Sequence, residues 1–238
     1  MSDRTAWRAA FPILPATEAV EAIVEGWTQL ATTELPKFNP KTREDKLTKA
    51  LKIQVERDVA RRRGLLGGWT AENVIGTVDP TTGEITEERR TDISYHWNNA
   101  DQSMSLVFEF KRVGRGKRHR DHYLGPKGLE RFVNGIYSDG QSVAAMVGVL
   151  LDPEDEVVPP LRRTLEQIDA AGPLQLRKTS AGTSCIDPSD LFSDALFDTE
   201  HERGPPLGPP HGSIRVSHIF LAFGYPTTTR RPRKKTSS

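Results

Sequence analysis

The sequence predicts a mixed α/β (α+β) fold, with a mixed central sheet flanked by helices, on three observations. Apolar residues recur at helical period through residues 47–59. Two alternating runs, 91–97 and 103–113, lie on either side of a turn. The run "SVAAMVGVLLD" is apolar throughout. In order these give a helix, three antiparallel strands, a helix, a strand and then additions. At 238 residues the chain is long enough for one good-sized core with appendages. The expected organisation is a helical extension over 1–40, a core over 41–152, a C-terminal elaboration of the same domain over 153–229, and a basic disordered tail over 230–238.

Each element has a local cause. Prolines bracket a helix around Thr17–Ala31. In "NPKTREDKLTKALKIQVERDVARRRGLLGG", Thr42 reads as an N-cap with Asp45 three residues on, an acidic variant of the capping box. Leu47, Ala50, Leu51, Val55 and Val59 form the stripe, and Gly64 with Gly67–Gly68 ends the helix. Glu44 projects from the same face at its N-terminal end. Two strands follow around "DPTTGE": Asn73–Val78 and a ragged continuation to Trp97. There Thr91, Ile93, Tyr95 and Trp97 oppose Asp92, Ser94 and His96. "NNADQ" is turn chemistry and returns the chain into "SMSLVFEFKRV". After a basic loop, "GPKGLERFVNGIYSDG" reads as a short helix over about 127–137, and the second half of the apolar run as a buried strand. A helix centred on 160–170, a short strand in "PLQLRKTS", a loop-like stretch over 181–212 and a final strand over 213–225 complete the chain.

Composition excludes several classes. No apolar run approaches the ~20 residues of a membrane span. The N-terminal stretch reads without a secretory signal, and the single Cys185 excludes an intramolecular disulfide framework. Both point to a cytoplasmic protein. With no C-x-x-C and no H-x-x-x-H pair, a structural zinc site is not expected. The net charge of +1 is unevenly spread: the tail "RRPRKKTSS" holds five of the 33 basic residues and no acid. "KRVGRGKRHR" (111–120) is a second basic run.

The functional signal lies in "SLVFEFKRV". Period-two geometry puts Glu109 and Lys111 on one face with Val107, while Leu106, Phe108 and Phe110 take the other. Asp92 lies on the polar face of the preceding strand, so hairpin pairing can bring two carboxylates and an ammonium together beside a buried sheet. Such a group is costly unless something offsets it. Mg²⁺ or Mn²⁺ prefers oxygen ligands and needs only one or two carboxylates. It would polarise a phosphodiester oxygen, with Lys111 positioning and deprotonating water or offsetting transition-state charge.

Asp92 followed by "EFK" on the next strand resembles the signature of the PD-(D/E)XK nuclease superfamily, which has the restriction-endonuclease-like fold. The resemblance covers roughly residues 41–152, where the element order matches an αβββαβ core. It implies that Asp92 and Glu109 bind metal, that the Phe110 carbonyl is a further ligand, and that Lys111 is catalytic. It also implies an additional acid on the first helix, for which Glu44 is the best match as catalytic group and metal ligand. "YLGPKGLERFVNGIY…AAMVGVLL" further resembles nuclease-like proteins of bacterial phage defence. The chain departs from the pattern at Thr91, where the signature has proline, and no Q-x-x-x-Y follows.

These readings give an expected function: a Mg²⁺- or Mn²⁺-dependent endonuclease acting on DNA as a defence or restriction-type effector. The expected nucleic-acid contacts are Arg112, Arg115, Lys117, Arg118 and Arg120, and a homodimer or a complex with a defence-system partner is expected. The competing reading is a catalytically silent nuclease-like fold that binds nucleic acid or assembles with a partner. A phosphohydrolase acting on nucleotides is a third reading, which the basic run fits less well than a polymer.

Overall fold

The computed structural model describes residues 11–138, 140–204 and 212–226. The N-terminal residues 1–10, most of the proline-rich stretch over 203–212 and the basic tail therefore lie outside the described residues. Among the described residues no helix is long and apolar enough to cross a membrane.

Helix α1 (Ile13–Ala31) begins before the predicted Thr17 and buries Ala16, Ala19, Val20, Ile23 and Trp27. Its Gly26 is required by close approach, because a Cβ there would stand 2.7 Å from Val55 Cγ2. Helix α2 (Glu44–Gln54) runs through a π-helical turn (Val55–Val59) into α3 (Ala60–Arg63). Leu47, Leu51, Val55 and Val59 recur every fourth residue and are all fully buried in one cluster. Each four-residue step overshoots an α-turn by about 40°. The wider π turn takes up that drift. Gly64, at φ +67°, closes the helix by donating to the Ala60 and Arg61 carbonyls. At the other end the predicted capping box does not form. Arg43 is the N-cap, and Thr42 accepts from the Asn39 amide at 3.3 Å, so the helix starts on Glu44 itself.

One seven-stranded mixed sheet follows. Strands β1 (Gly68–Val78), β2 (Ile85–Asn98) and β3 (Ser103–Val113) form an antiparallel meander. Strand β4 (Val143–Leu150) lies parallel to β3, and β7 (Ser213–Leu221) parallel to β4. Strands β6 (Phe197–Glu202) and β5 (Cys185–Ile186) extend the β7 edge antiparallel. Helices cover both faces. On one, α1 and α2 pack on Leu106, Phe108, Phe110, Val147 and Ile219. On the other, Tyr123, Leu129, Phe132, Leu161 and Leu165 pack on Val107, Val113, Met146 and Val216. A strand covered on both faces needs apolar side chains at every position, which explains why β4 has no alternation and is strand nearly throughout.

Several expectations need correction. The basic run is not a loop: Lys111 and Arg112 belong to β3, and Lys117–Leu124 form helix α4. The helix expected at 127–137 shrinks to α5 (Glu130–Val133) plus turns. The helix expected around 160–170 is α6 (Glu154–Gln167), which tolerates Pro159 and Pro160. "PLQLRKTS" contributes only a bridge, Leu176 to His201. The loop-like 181–212 contains β5 and β6.

Candidate active site

The site forms where two strands part. The β2–β3 ladder runs from Asn98–Ser103 to Ile93–Phe108 and stops there, while β3 continues to Val113 against β4 on its other side. The amides of Phe110 and Arg112 therefore need partners other than β2. Carboxylates supply them: Phe110 N donates to Asp92 Oδ2 at 2.8 Å, and Arg112 N to Glu44 Oε2 at 2.8 Å. The backbone of one strand thus aims an acid from β2 and an acid from α2 at the same place.

The Lys111 ammonium stands between them. Its Nζ lies 2.6 Å from the Phe110 carbonyl, 2.8 Å from Glu109 Oε1, 3.1 Å from Glu44 Oε1 and 3.8 Å from Asp92 Oδ2. Glu109 and Lys111 share a face, as period two requires, and are buried, at 1% and 5% exposure. Glu44 and Asp92 keep more solvent. Burial, followed by the Asp92 charge, pushes the Glu109 carboxyl up to about 8. Burial likewise raises Asp92, against the pull of Lys111. Burial opposes the Lys111 charge, but Glu109, Asp92 and Glu44 outweigh it and hold the ammonium above its ordinary value. Glu109 Oε2 is buried with no hydrogen-bond partner among the described residues. An orphaned carboxylate oxygen of this kind costs about 1–3 kcal/mol or more.

Two residues outside the expected set complete the wall. Arg131, from α5, reaches Glu109 Oε1 at 3.4 Å and also donates to the Tyr137 hydroxyl. Tyr137 OH donates to the Arg90 carbonyl at 2.5 Å, and its pKa is pushed up to about 12 by burial and the Glu109 charge. In the sequence, Arg131 reads as a helix-surface residue. The chain leaves α5 at Asn134 and turns through Gly135, at φ +68°, which brings Tyr137 back under Arg131. No local spacing signals that. Arg203, beyond β6, fixes the turn: its buried guanidinium donates to the carbonyls of Phe132, Tyr137 (2.7 Å) and Ser138 (2.6 Å).

The five expected nucleic-acid contacts separate. Arg115 pairs with Asp152 and Glu156, Lys117 with Asp121, and Arg120 donates to the Arg115 carbonyl. Arg112 and Arg118 instead line a cleft of about 1010 Å³ that opens beside Glu44. The Arg112 guanidinium is hooked to the Pro40 carbonyl. His96 lies at the far end of the β2–β3 hairpin, near Gln141.

The chain matches no family model, no curated protein and no solved structure. Among the described residues, no three His, Cys, Asp or Glu side chains are arranged as a metal-binding group; Lys111 Nζ stands among the oxygens instead. The donor set still fits a hard divalent cation. It consists entirely of oxygens, from Asp92, Glu109, Glu44 and the Phe110 carbonyl, and Glu109 Oε2 is a buried acceptor without a donor.

Proposed function

We propose that this chain is a metal-dependent nuclease that hydrolyses phosphodiester bonds, with DNA as its substrate. The observation that carries the reading is the convergence of Glu44, Asp92, Glu109 and Lys111, from a helix and two strands, on one partly buried point. Two of the three carboxylates satisfy β3 amides, but gathering all three, with Glu109 buried, raises the cost of folding beyond what that role requires. The element order α2, β1–β3, α4–α5, β4 agrees with the restriction-endonuclease-like core that the resemblance to PD-(D/E)XK nucleases implies. A defence or restriction setting and a partner or second copy belong to the same reading.

Bound Mg²⁺ or Mn²⁺ would supply Lewis-acid polarisation and an acidified water. Asp92, Glu109, Glu44 and the Phe110 carbonyl are the groups that would hold it. The Phe110 and Arg112 amides keep Asp92 and Glu44 aimed without side-chain entropy cost at the moment of reaction. The Lys111 ammonium is held protonated, so offsetting charge on the phosphoryl oxygens is its better role, ahead of taking a proton from water. Arg131 offers a second cation, on the same Glu109 oxygen that Lys111 contacts.

The test is cleavage of single- and double-stranded DNA and RNA by the purified chain in Mg²⁺ or Mn²⁺, with and without EDTA. Metal-dependent cleavage of DNA is the expected result. No cleavage of any substrate would instead support the silent, nucleic-acid-binding reading, which one observation favours: the Lys111 ammonium already neutralises the carboxylates.

A further inference from the structure

The cleft beside Glu44 has a charge balance that the sequence does not reveal. Its acids are already engaged: Asp45 by Arg43 at 3.1 Å, Asp121 by Lys117 at 2.7 Å, and Glu44 by Lys111 and the Arg112 amide. Its remaining cations are not. Arg118 and Lys127 are exposed and have no acid partner among the described residues. Arg118 and His122 are four apart on α4, so they present one face of that helix, and both line the cleft with Lys127. Arg118 and Lys127 therefore bring unpaired positive charge to the cleft beside the carboxylate cluster, while burial and the Lys111 charge lower His122, which faces the cleft as a neutral hydrogen-bonding ring.

The lining contains no Phe, Tyr or Trp. Proteins that grip single strands combine a basic groove with aromatic platforms for unstacked bases. A groove whose free charges are cationic and that lacks such platforms suits the outside of a duplex, where phosphates give position and no sequence information. We propose that Arg118, His122 and Lys127 form a sequence-neutral track for one phosphate backbone of duplex DNA, which delivers it to Glu44 and Lys111. This deepens the nuclease reading and rests on it for the track's destination. The contact set differs from the one expected from the basic run, since Arg115 and Lys117 are spent on acids.

Fluorescence anisotropy of the full chain with a short labelled duplex, in EDTA so that nothing is cut, tests the track. The double variant Arg118→Ala/Lys127→Ala should bind at least tenfold more weakly at moderate salt. The slope of log K against log salt should fall by about two, since each lost phosphate contact removes about 0.9. Adding His122→Ala should weaken binding further, and Lys117→Ala should bind as wild type does. The track is overturned if the double variant binds like wild type, if Lys117→Ala loses as much affinity, if the matching single strand binds more tightly than the duplex, or if the wild-type chain binds no duplex. None of these readouts depends on cleavage. A chain that binds through the track but never cuts sinks the nuclease reading alone; one that cuts with the double variant's affinity unchanged sinks the track alone.

Discussion

Glu109 concentrates the electrostatic cost of folding at the candidate site. It is almost completely buried, has one unpartnered oxygen, and its carboxyl is raised to about 8. The fold therefore favours the protonated form, whereas the unfolded chain ionises near the ordinary carboxylate value. Below that value the burial costs nothing electrostatically; as pH rises from about 4.5 toward 8 the wild-type fold loses stability. Glu109→Gln, which removes the charge and keeps the shape, should thus gain on wild type across that window, by roughly 1.4 kcal/mol per pH unit at most. Paired urea titrations at pH 5 and pH 8 measure it. A variant less stable than wild type at pH 8 would mean that the carboxylate is structural. The charged pair itself was legible in "SLVFEFKRV", because period two and the apolar neighbours are local. Arg131 and Tyr137 were not, because a turn brings them to Glu109 and no periodicity does.

At the scale of elements, the same physical ground separates the segments whose apolar spacing specifies them from those that distant partners specify. β3 was legible to the residue and the first helix of the core to its glycine stop, since both are written in apolar spacing. The helix start was misplaced by one residue, because Thr42 found a partner in the Asn39 amide. β6 escaped altogether. "FDTEHE" has four ionisable residues among six and looks like loop, yet Asp198, Thr199 and His201 are fully buried. Their burial rests on side-chain partners from elsewhere: Asp198 accepts from Ser189 (2.8 Å) and Ser217 (2.7 Å), and Thr199 bonds His201 and His218. No linear pattern records such pairings. Arg203 shows the same dependence: it joins the C-terminal elaboration to the turn beneath the site. Replacing it with Met would strip the guanidinium from three carbonyls: Phe132 O and Ser138 O keep the Gly135 and Gln141 amides, and Tyr137 O keeps no other donor among the described residues. We expect a loss on the order of 3 kcal/mol, seen as a lower urea midpoint at unchanged m-value. A stability within a few tenths of wild type would remove Arg203 from this account.

The whole molecule carries a second buried polar system, separated from Glu109 by Met146 across β4 and relevant to its pH response. Tyr123 OH meets His218 Nδ1 at 2.9 Å, His218 Nε2 meets Thr199 at 2.9 Å, Thr199 meets His201 Nε2 at 2.7 Å, and His201 Nδ1 meets the Leu174 carbonyl at 2.6 Å. The chain links α4 across β7 and β6 with every ring buried. Burial lowers His201 to about 4 and His218 well below its ordinary value, so both stay neutral in the fold. The unfolded chain protonates them near pH 6.5. Stability from this source is therefore complete above pH 6.5 and is lost as pH falls toward 4. For His201 alone the loss is about 3 kcal/mol over that window. Measured as wild type minus His201→Asn, which cancels the opposite contributions of the raised carboxyls, the difference should shrink by that amount; a flat difference would contradict a neutral, buried His201.

Phosphodiester cleavage at the cluster anchored by Lys111 is tested by comparing wild type with Lys111→Ala on supercoiled plasmid in Mg²⁺, at matched concentration and with folding confirmed by circular dichroism. Wild type should nick the plasmid, and the variant should lose about 10²–10³-fold in rate. Cutting by Lys111→Ala at the wild-type rate would contradict cleavage at this cluster.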